Sequence, residues 1–220
     1  MSFDALELEK QSEILNAACE VFAKHGYQKA SMMDIAQAAG VSKSVLFKYF
    51  STKENLYLKI FRLATDGILA ADATARASCP DGADLFERMR NSVRERLKLF
   101  ERYPWVFRFS YTAAFDPDPF AQALVREEMA KTYADYEARK KRTGEQTLPE
   151  YRPLRKDIPP DAARQMILWV SQGFLEEKLH AGTTEPNALR QEFEHWIDLL
   201  ELLLREQQTE SATGEQEKMK

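Results

Sequence analysis

The 220-residue chain is 44% hydrophobic and 30% charged, the balance of a folded globular protein rather than a disordered one. Its longest uncharged stretch, Gln165 to Leu175, falls far short of the roughly 20 apolar residues that cross a bilayer. An acidic start (Asp4, Glu7, Glu9) lacks a secretory pattern, and two cysteines, Cys19 and Cys79, make no disulfide framework, so the expectation is a cytoplasmic protein with no membrane partner.

The spacing predicts helices throughout and no strand. Ile14, Ala18, Val21 and Phe22 share one face of a first helix that should stop near Lys24-His25-Gly26. Ser31 and Asp34 stand at capping-box spacing and open a short second helix ending at Gly40. Ser42 caps a third, and Ser51 with Glu54 repeats the capping box before a long fourth helix, about Thr52 to Ala77. "SCPDGADL" (78–85) reads as the boundary between a first domain and a second, and an amphipathic helix follows from Leu85 to Glu101. A short aromatic helix covers Trp105 to Phe115. "FDPDPF" (115–120) stops it, and Pro119 takes the first position of the next helix, to about Arg142. Residues 142–161 read as a polar, proline-rich loop. Two helices close the fold, about Ala162 to Ala181, ended by Gly182, and about Asn187 to Arg205. The tail 206–220 has almost no apolar residues and reads as disordered.

Residues 35–49 have the pattern of a helix-turn-helix. Ala36 and Gly40 lie four apart, a small residue for a close crossing and a glycine able to take the positive φ of a tight turn. Ile35, Ala39, Val41, Val45, Leu46 and Tyr49 supply the clamp. The remaining face of the third helix carries Lys43, Ser44, Phe47 and Lys48. Lysines on a short helix often form only a solvated face, but the charge distribution favours an anionic partner. From Ser42 to Arg62 five basic residues stand against Glu54 alone, on a chain of net charge −4. Helix N-termini at Ser31 and Ser51 flank the short helix, where phosphates can dock, and Tyr49 and Lys53 lie where the chain leaves it.

The stretch "ILNAACEVFAKHGYQKASMMDIAQAAGVSKSVLFKYFSTKENLY" (14–57) resembles the TetR family of bacterial transcriptional regulators, most specifically in "GVSK", "LFKYF" and "KENL". The resemblance implies an all-α fold: a three-helix helix-turn-helix domain at 1–65, with the motif at about 31–50, and a helical effector-binding and dimerisation domain at 66–205. It implies phosphate contacts by Ser31, Met32, Tyr49 and Lys53, and base contacts by Lys43, Ser44, Phe47 and Lys48. Ser44 replaces a glycine and Phe47 a tyrosine common in the family, which bears on the operator sequence.

Elsewhere the aromatics Tyr103, Trp105, Phe107, Phe109, Tyr111 and Phe115 crowd one helix, with Trp169 and Phe174 on a later one. They suit a core; the resemblance adds an effector pocket, for a small apolar or amphipathic molecule, with Phe107, Tyr111, Phe115, Trp169 and Phe174 as candidate lining. On the last two helices Leu189, Phe193, Trp196, Leu200 and Leu203 form a stripe wider than one neighbour covers, with Gly173 allowing close approach. A homodimer interface of Gly173, Phe193, Trp196, Leu200 and Leu203 is expected. Glu177 with His180 and Glu192 with His195 repeat a Glu-x-x-His spacing known from di-iron bundles. Abundant Glu and the favourable place of a cation at a helix C-terminus explain them without metal.

The sequence thus points to a DNA-binding regulator, a repressor released from a near-palindromic operator by its effector, with no catalytic constellation, metal site or cofactor. The rival reading is a ligand-binding or enzymatic helical domain whose N-terminal bundle is only structural. A metal-bound oxidase is a weaker third.

Overall fold

The computed structural model describes residues 3–143, 154–180 and 185–205. The Tyr111 side chain, Gly182, residues 144–153 of the proline-rich loop and the tail at 206–220 lie outside the described residues. After a short 3-10 turn at Phe3–Ala5 come α1 (Leu8–Lys29), α2 (Met32–Ala38), α3 (Lys43–Phe50), α4 (Lys53–Ala77) and α5 (Leu85–Arg102). There follow α6 (Pro104–Phe115), α7 (Pro119–Thr143), α8 (Pro160–His180) and α9 (Pro186–Leu204).

The short helices hold their ends by side-chain caps. The Ser31 hydroxyl accepts the Asp34 N–H, and Ser42 accepts that of Val45. The α2–α3 turn closes as a Schellman motif: Val41 N–H bonds to the Ala36 carbonyl and Gly40 N–H to that of Gln37, with Gly40 at φ 61°. A side chain at that φ is strained, so glycine ends α2 here. At the start of α4 the structure differs from the expected Ser51–Glu54 box. Thr52 is the cap, accepting the Asn55 N–H, while Ser51 ends α3 at φ 62°. The two residues are both hydroxyl-bearing, and the sharp turn at Ser51 shifts the cap by one.

α1 does not stop at Gly26. It kinks there (φ 68°, ψ 170°) and resumes to Lys29. The kink is what an adjoining helix uses, because it frees the Tyr27 N–H from the helical ladder for another acceptor. One apolar cluster then runs through both halves of the chain. Ile14, Phe22, Leu46, Leu56, Tyr57 and Ile60 pack with Val106, Phe109 and Ala121. Phe22, Tyr57 and Phe109 meet edge to face, with centroids 5.0 Å apart for Phe22–Tyr57 and for Tyr57–Phe109. Burial pushes the Tyr57 hydroxyl well above its usual titration range, and it finds no hydrogen-bond partner among the described residues. Thus α4 passes without a break from the helix-turn-helix into the C-terminal half. No helix among the described residues is long and apolar enough to cross a membrane.

Candidate functional site

The outer face of α3 is built by what its inner face buries. Leu46 and Phe50 are in the core, which leaves Lys43, Ser44, Phe47 and Lys48 exposed. Ser42 and Ser44 hydroxyls are hydrogen-bonded at 2.8 Å, and the Lys43 ammonium lies 5.6 Å from the Phe47 ring centre. Tyr49 is half-buried, edge-on to Phe3. An eight-residue helix this short holds only because its apolar face is clamped, so its polar face is presented rigidly.

Two expected phosphate contacts are placed differently. The Met32 side chain is only 6% exposed, turned inward with Ile35 to clamp α2, while the neighbouring Met33 is exposed. Lys53 is committed elsewhere. Its ammonium donates to the carbonyls of Tyr27 (2.6 Å), Ala30 (3.0 Å) and Gln28 (3.3 Å) and sits 4.3 Å from the Tyr27 ring centre. It staples the C-terminal end of α1 to the first turn of α4, neutralising carbonyls that the helix end leaves unpaired. Burial pushes its ammonium below the usual lysine range, against the opposing pull of Asp118 and Asp116. Ser31 is half-buried, and its hydroxyl donates to Asp34 Oδ2 at 2.6 Å.

The second element of the site is a half-open cavity of about 400 Å³ lined by α4, α5, α6, α8 and α9. Phe107, Phe115 and Phe174 line it, with Ile68, Phe100 and Phe193 among the other walls. The aromatic helix α6 therefore has two uses. Trp105, Phe109 and Ala113 enter the core shared with α1, while Phe107, Ser110 and Phe115 face the cavity. Trp169, expected as a wall, is 64% exposed. Its helix turns Ile167, Ser171 and Phe174 to the cavity, and at 100° per residue position 169 falls on the opposite side.

Behind Arg96 on the cavity wall stands Asp72 of α4. Arg96 Nε donates to Asp72 Oδ1 at 2.8 Å and Nη2 to Oδ2 at 2.6 Å, and the Ser92 hydroxyl adds a bond of 2.7 Å. Burial alone would raise the Asp72 carboxyl, but the bonds and charge of Arg96 outweigh it and hold it below the usual range.

Two contacts tie α6 and α7 to the N-terminal half. Asp116, directly after Phe115, is 2% exposed, and its Oδ2 accepts the Tyr27 N–H at 2.8 Å. Arg62 of α4 grips Glu128 of α7 with two bonds of 2.5 and 2.9 Å.

The expected dimer stripe divides in two. Leu200 is 4% exposed and packs with Phe86 and Ile197, and Phe193 is half-buried against Phe174. Both serve this chain's own core. Gly173, Trp196 and Leu203 are exposed, as is Trp169. The wide stripe read as one interface is thus two faces of one helix. Of the Glu-x-x-His pairs, Glu177 and Glu192 both bind Lys178, and no cluster of three or more metal-ligating side chains occurs among the described residues.

Residues 14–60 match the family described as bacterial regulatory proteins, tetR family. A transcriptional repressor, AcnR of Corynebacterium diphtheriae, is 26% identical over 201 residues, 90% of this chain and 93% of AcnR. A transcriptional activator, FasR of Mycolicibacterium smegmatis, is 31% identical over 118 residues, 54% of this chain; this chain covers only 52% of FasR. A TetR family regulator from Chloroflexus aurantiacus shares the fold with a TM-score of 0.60 at 21% identity, over 93% of this chain and 97% of that one. The chain is thus similar to the TetR family, in sequence along residues 14–60 and in fold over nearly its whole length.

Sequence reasoning missed Asp116 and the Arg96–Asp72 pair. The two aspartates around Pro117 announced a turn, but nothing local announces a partner 89 positions away. For Arg96 a signal existed: it lies four residues from both Ser92 and Phe100, on the face of α5 that lines the cavity.

Proposed function

We propose that the chain is a TetR-family DNA-binding regulator, a homodimeric repressor that reads a near-palindromic operator with α3 and lets go when a small apolar or amphipathic molecule fills the cavity. The observation that carries the reading is the pairing of two features in one chain. A clamped eight-residue helix offers Lys43, Ser44, Phe47 and Lys48 to solvent, and α4 runs without a break from it to the cavity wall at Ile68. Base readout falls to those four residues in the major groove, with Tyr49 and the N-terminus of α2 beside the backbone. The domain boundary near residue 65 then marks a change of use along α4, not a break in it.

Dimerisation is assigned to Trp169 and Gly173 of α8 with Trp196 and Leu203 of α9. Large aromatic and aliphatic side chains exposed together on two adjacent helices favour burial against a second copy. Repression rather than activation is favoured by AcnR, which is named a repressor and aligns over 93% of its length.

Release requires that the ligand stabilise one of two arrangements, not merely bind. The contacts available are Asp116 with Tyr27 at the end of α6, and α4 itself. A molecule that spreads Phe107 and Phe115 moves Asp116, whose carboxylate holds the Tyr27 N–H, and the Tyr27 carbonyl in turn holds Lys53 at the base of α4. Selection of bound fragments from a random duplex pool, followed by a transcription reporter carrying the selected site, tests the reading. A palindromic site whose promoter is quieter with the protein present is expected. A promoter that rises would make it an activator.

A further inference from the structure

We propose that the cavity's ligand carries a single anionic head on an apolar body, and that this head binds Arg96 in competition with Asp72. The proposal rests on reading the cavity as an effector site and adds the charge of the effector and the place where it acts.

Arg96 is the one charged side chain among the described residues lining the cavity; the rest are apolar or carry neutral hydroxyl and amide groups. The pair is unequally covered. The Arg96 side chain is 43% exposed and that of Asp72 17%, so a molecule entering the cavity meets guanidinium before carboxylate. Asp72 engages Nε and Nη2, and a guanidinium has five N–H donors, so Arg96 retains groups for a second anion. A carboxylate or phosphate matches that fork geometrically. Walls of low polarity strengthen its attraction and weaken the case for a cationic head. A neutral body gains only apolar contact and leaves the ion pair as it is.

The consequence falls on α4. Asp72 belongs to α4 and Arg96 to α5, so the pair ties the helix that leaves the helix-turn-helix to the cavity wall. An anion that draws Arg96 toward itself leaves a largely covered carboxylate with Ser92 and the field of Arg76 as its support. A covered charge short of its partner is unfavourable, and a small displacement of α4 relieves it. Affinity and switching thereby reside in the same guanidinium, which distinguishes this device from simple filling of the cavity.

Calorimetric titration with two probes of equal chain length, decanoate and decan-1-ol, each below its aggregation limit, tests the proposal on the full-length protein. Decanoate should bind about tenfold more tightly, the worth of one charge-assisted contact. Arg96→Gln should bring the acid down to the level of the alcohol. Asp72→Asn, which removes the competing carboxylate, should tighten decanoate and keep the proposal testable if Arg96→Gln fails to fold. Equal binding of acid and alcohol by the natural protein, or an acid preference that survives Arg96→Gln, overturns the anionic head and leaves the effector cavity standing. Binding of neither probe overturns the effector reading and this inference together.

Discussion

Asp116 Oδ2 accepts the backbone N–H of Tyr27 at 2.8 Å in a buried contact that spans 89 positions of sequence. The other carboxylate oxygen accepts the N–H of Asp118 at 2.9 Å, so one side chain both shapes the turn after α6 and holds the kink of α1. The kink at Gly26 exists for this: it turns a helical N–H outward to meet the carboxylate. Asp116→Ala leaves the Tyr27 donor buried and unpaired, and is expected to lower stability by about 1–3 kcal/mol in denaturant unfolding. Asp116→Asn should fall between, because an amide carries one acceptor oxygen and must turn its NH₂ toward one of the two donors. A variant Asp116→Ala as stable as the natural protein would contradict the role given to this contact.

Lys48 of α3 and Lys53 at the start of α4 should behave differently. Lys48→Ala removes a side chain exposed on the outer face of α3, and on the proposed reading should cost roughly 1–3 kcal/mol per half-site and relax the base preference. Lys53 was expected from sequence to touch phosphate, but its ammonium is spent on three carbonyls of the α1 end. Lys53→Ala should therefore lower the melting temperature and leave the salt dependence of DNA binding unchanged. A loss of about one unit of salt slope with no change in melting would restore the phosphate contact.

Neighbouring leucines on α9 separate assembly from folding. Leu203→Glu places a charge on the exposed face and should yield folded monomers in sedimentation. Leu200→Glu places it in the core with Phe86 and Ile197, and should unfold the C-terminal half. Monomers of the natural protein at micromolar concentration would defeat the dimer outright.

Acid should weaken the fold through identified carboxylates. Arg62 holds Glu128 below the usual range; Asp72 and Asp84 are also held there, since Arg96, and Arg205 with the first backbone N–H groups of α5, outweigh the effect of their burial. A group depressed in the folded state contributes stability above its unfolded pKa, about 4 for these residues, and loses it as pH falls through the folded value. Melting temperature should thus hold above about pH 5 and fall below about pH 4. Asp72→Asn should show a shallower fall. An unchanged acid profile in that variant would remove the Arg96–Asp72 pair from the account.

Much of this was legible in the sequence. The helices, the caps at Ser31 and Ser42, the glycine turn and the outward face of α3 follow from spacing and local hydrogen bonding, which act over a few residues. Failures came where one residue type serves two ends. Phe193 and Leu200 share a stripe with Trp196 and Leu203, and periodicity shows that α9 is apolar without telling core from interface. Trp169 belonged with the other aromatics by composition and lies on the wrong side of α8 by 100° geometry. Met32 and Met33 are equivalent in propensity, and only the packing of α2 decides which is buried. The contacts of Asp116, Glu128 and Asp72 join positions far apart in the chain, and no local rule reports them.

The most direct test of the central claim is a fluorescence anisotropy titration against duplex DNA selected from a random pool, repeated over a range of salt. A near-palindromic site whose half-sites lie about one helical turn, roughly 34 Å, apart is expected. Binding should weaken steeply with salt, and Lys48→Ala should lose the preference for the selected site. No enrichment of any sequence, or binding indifferent to both salt and Lys48, would contradict it and leave the N-terminal helices with a structural role alone.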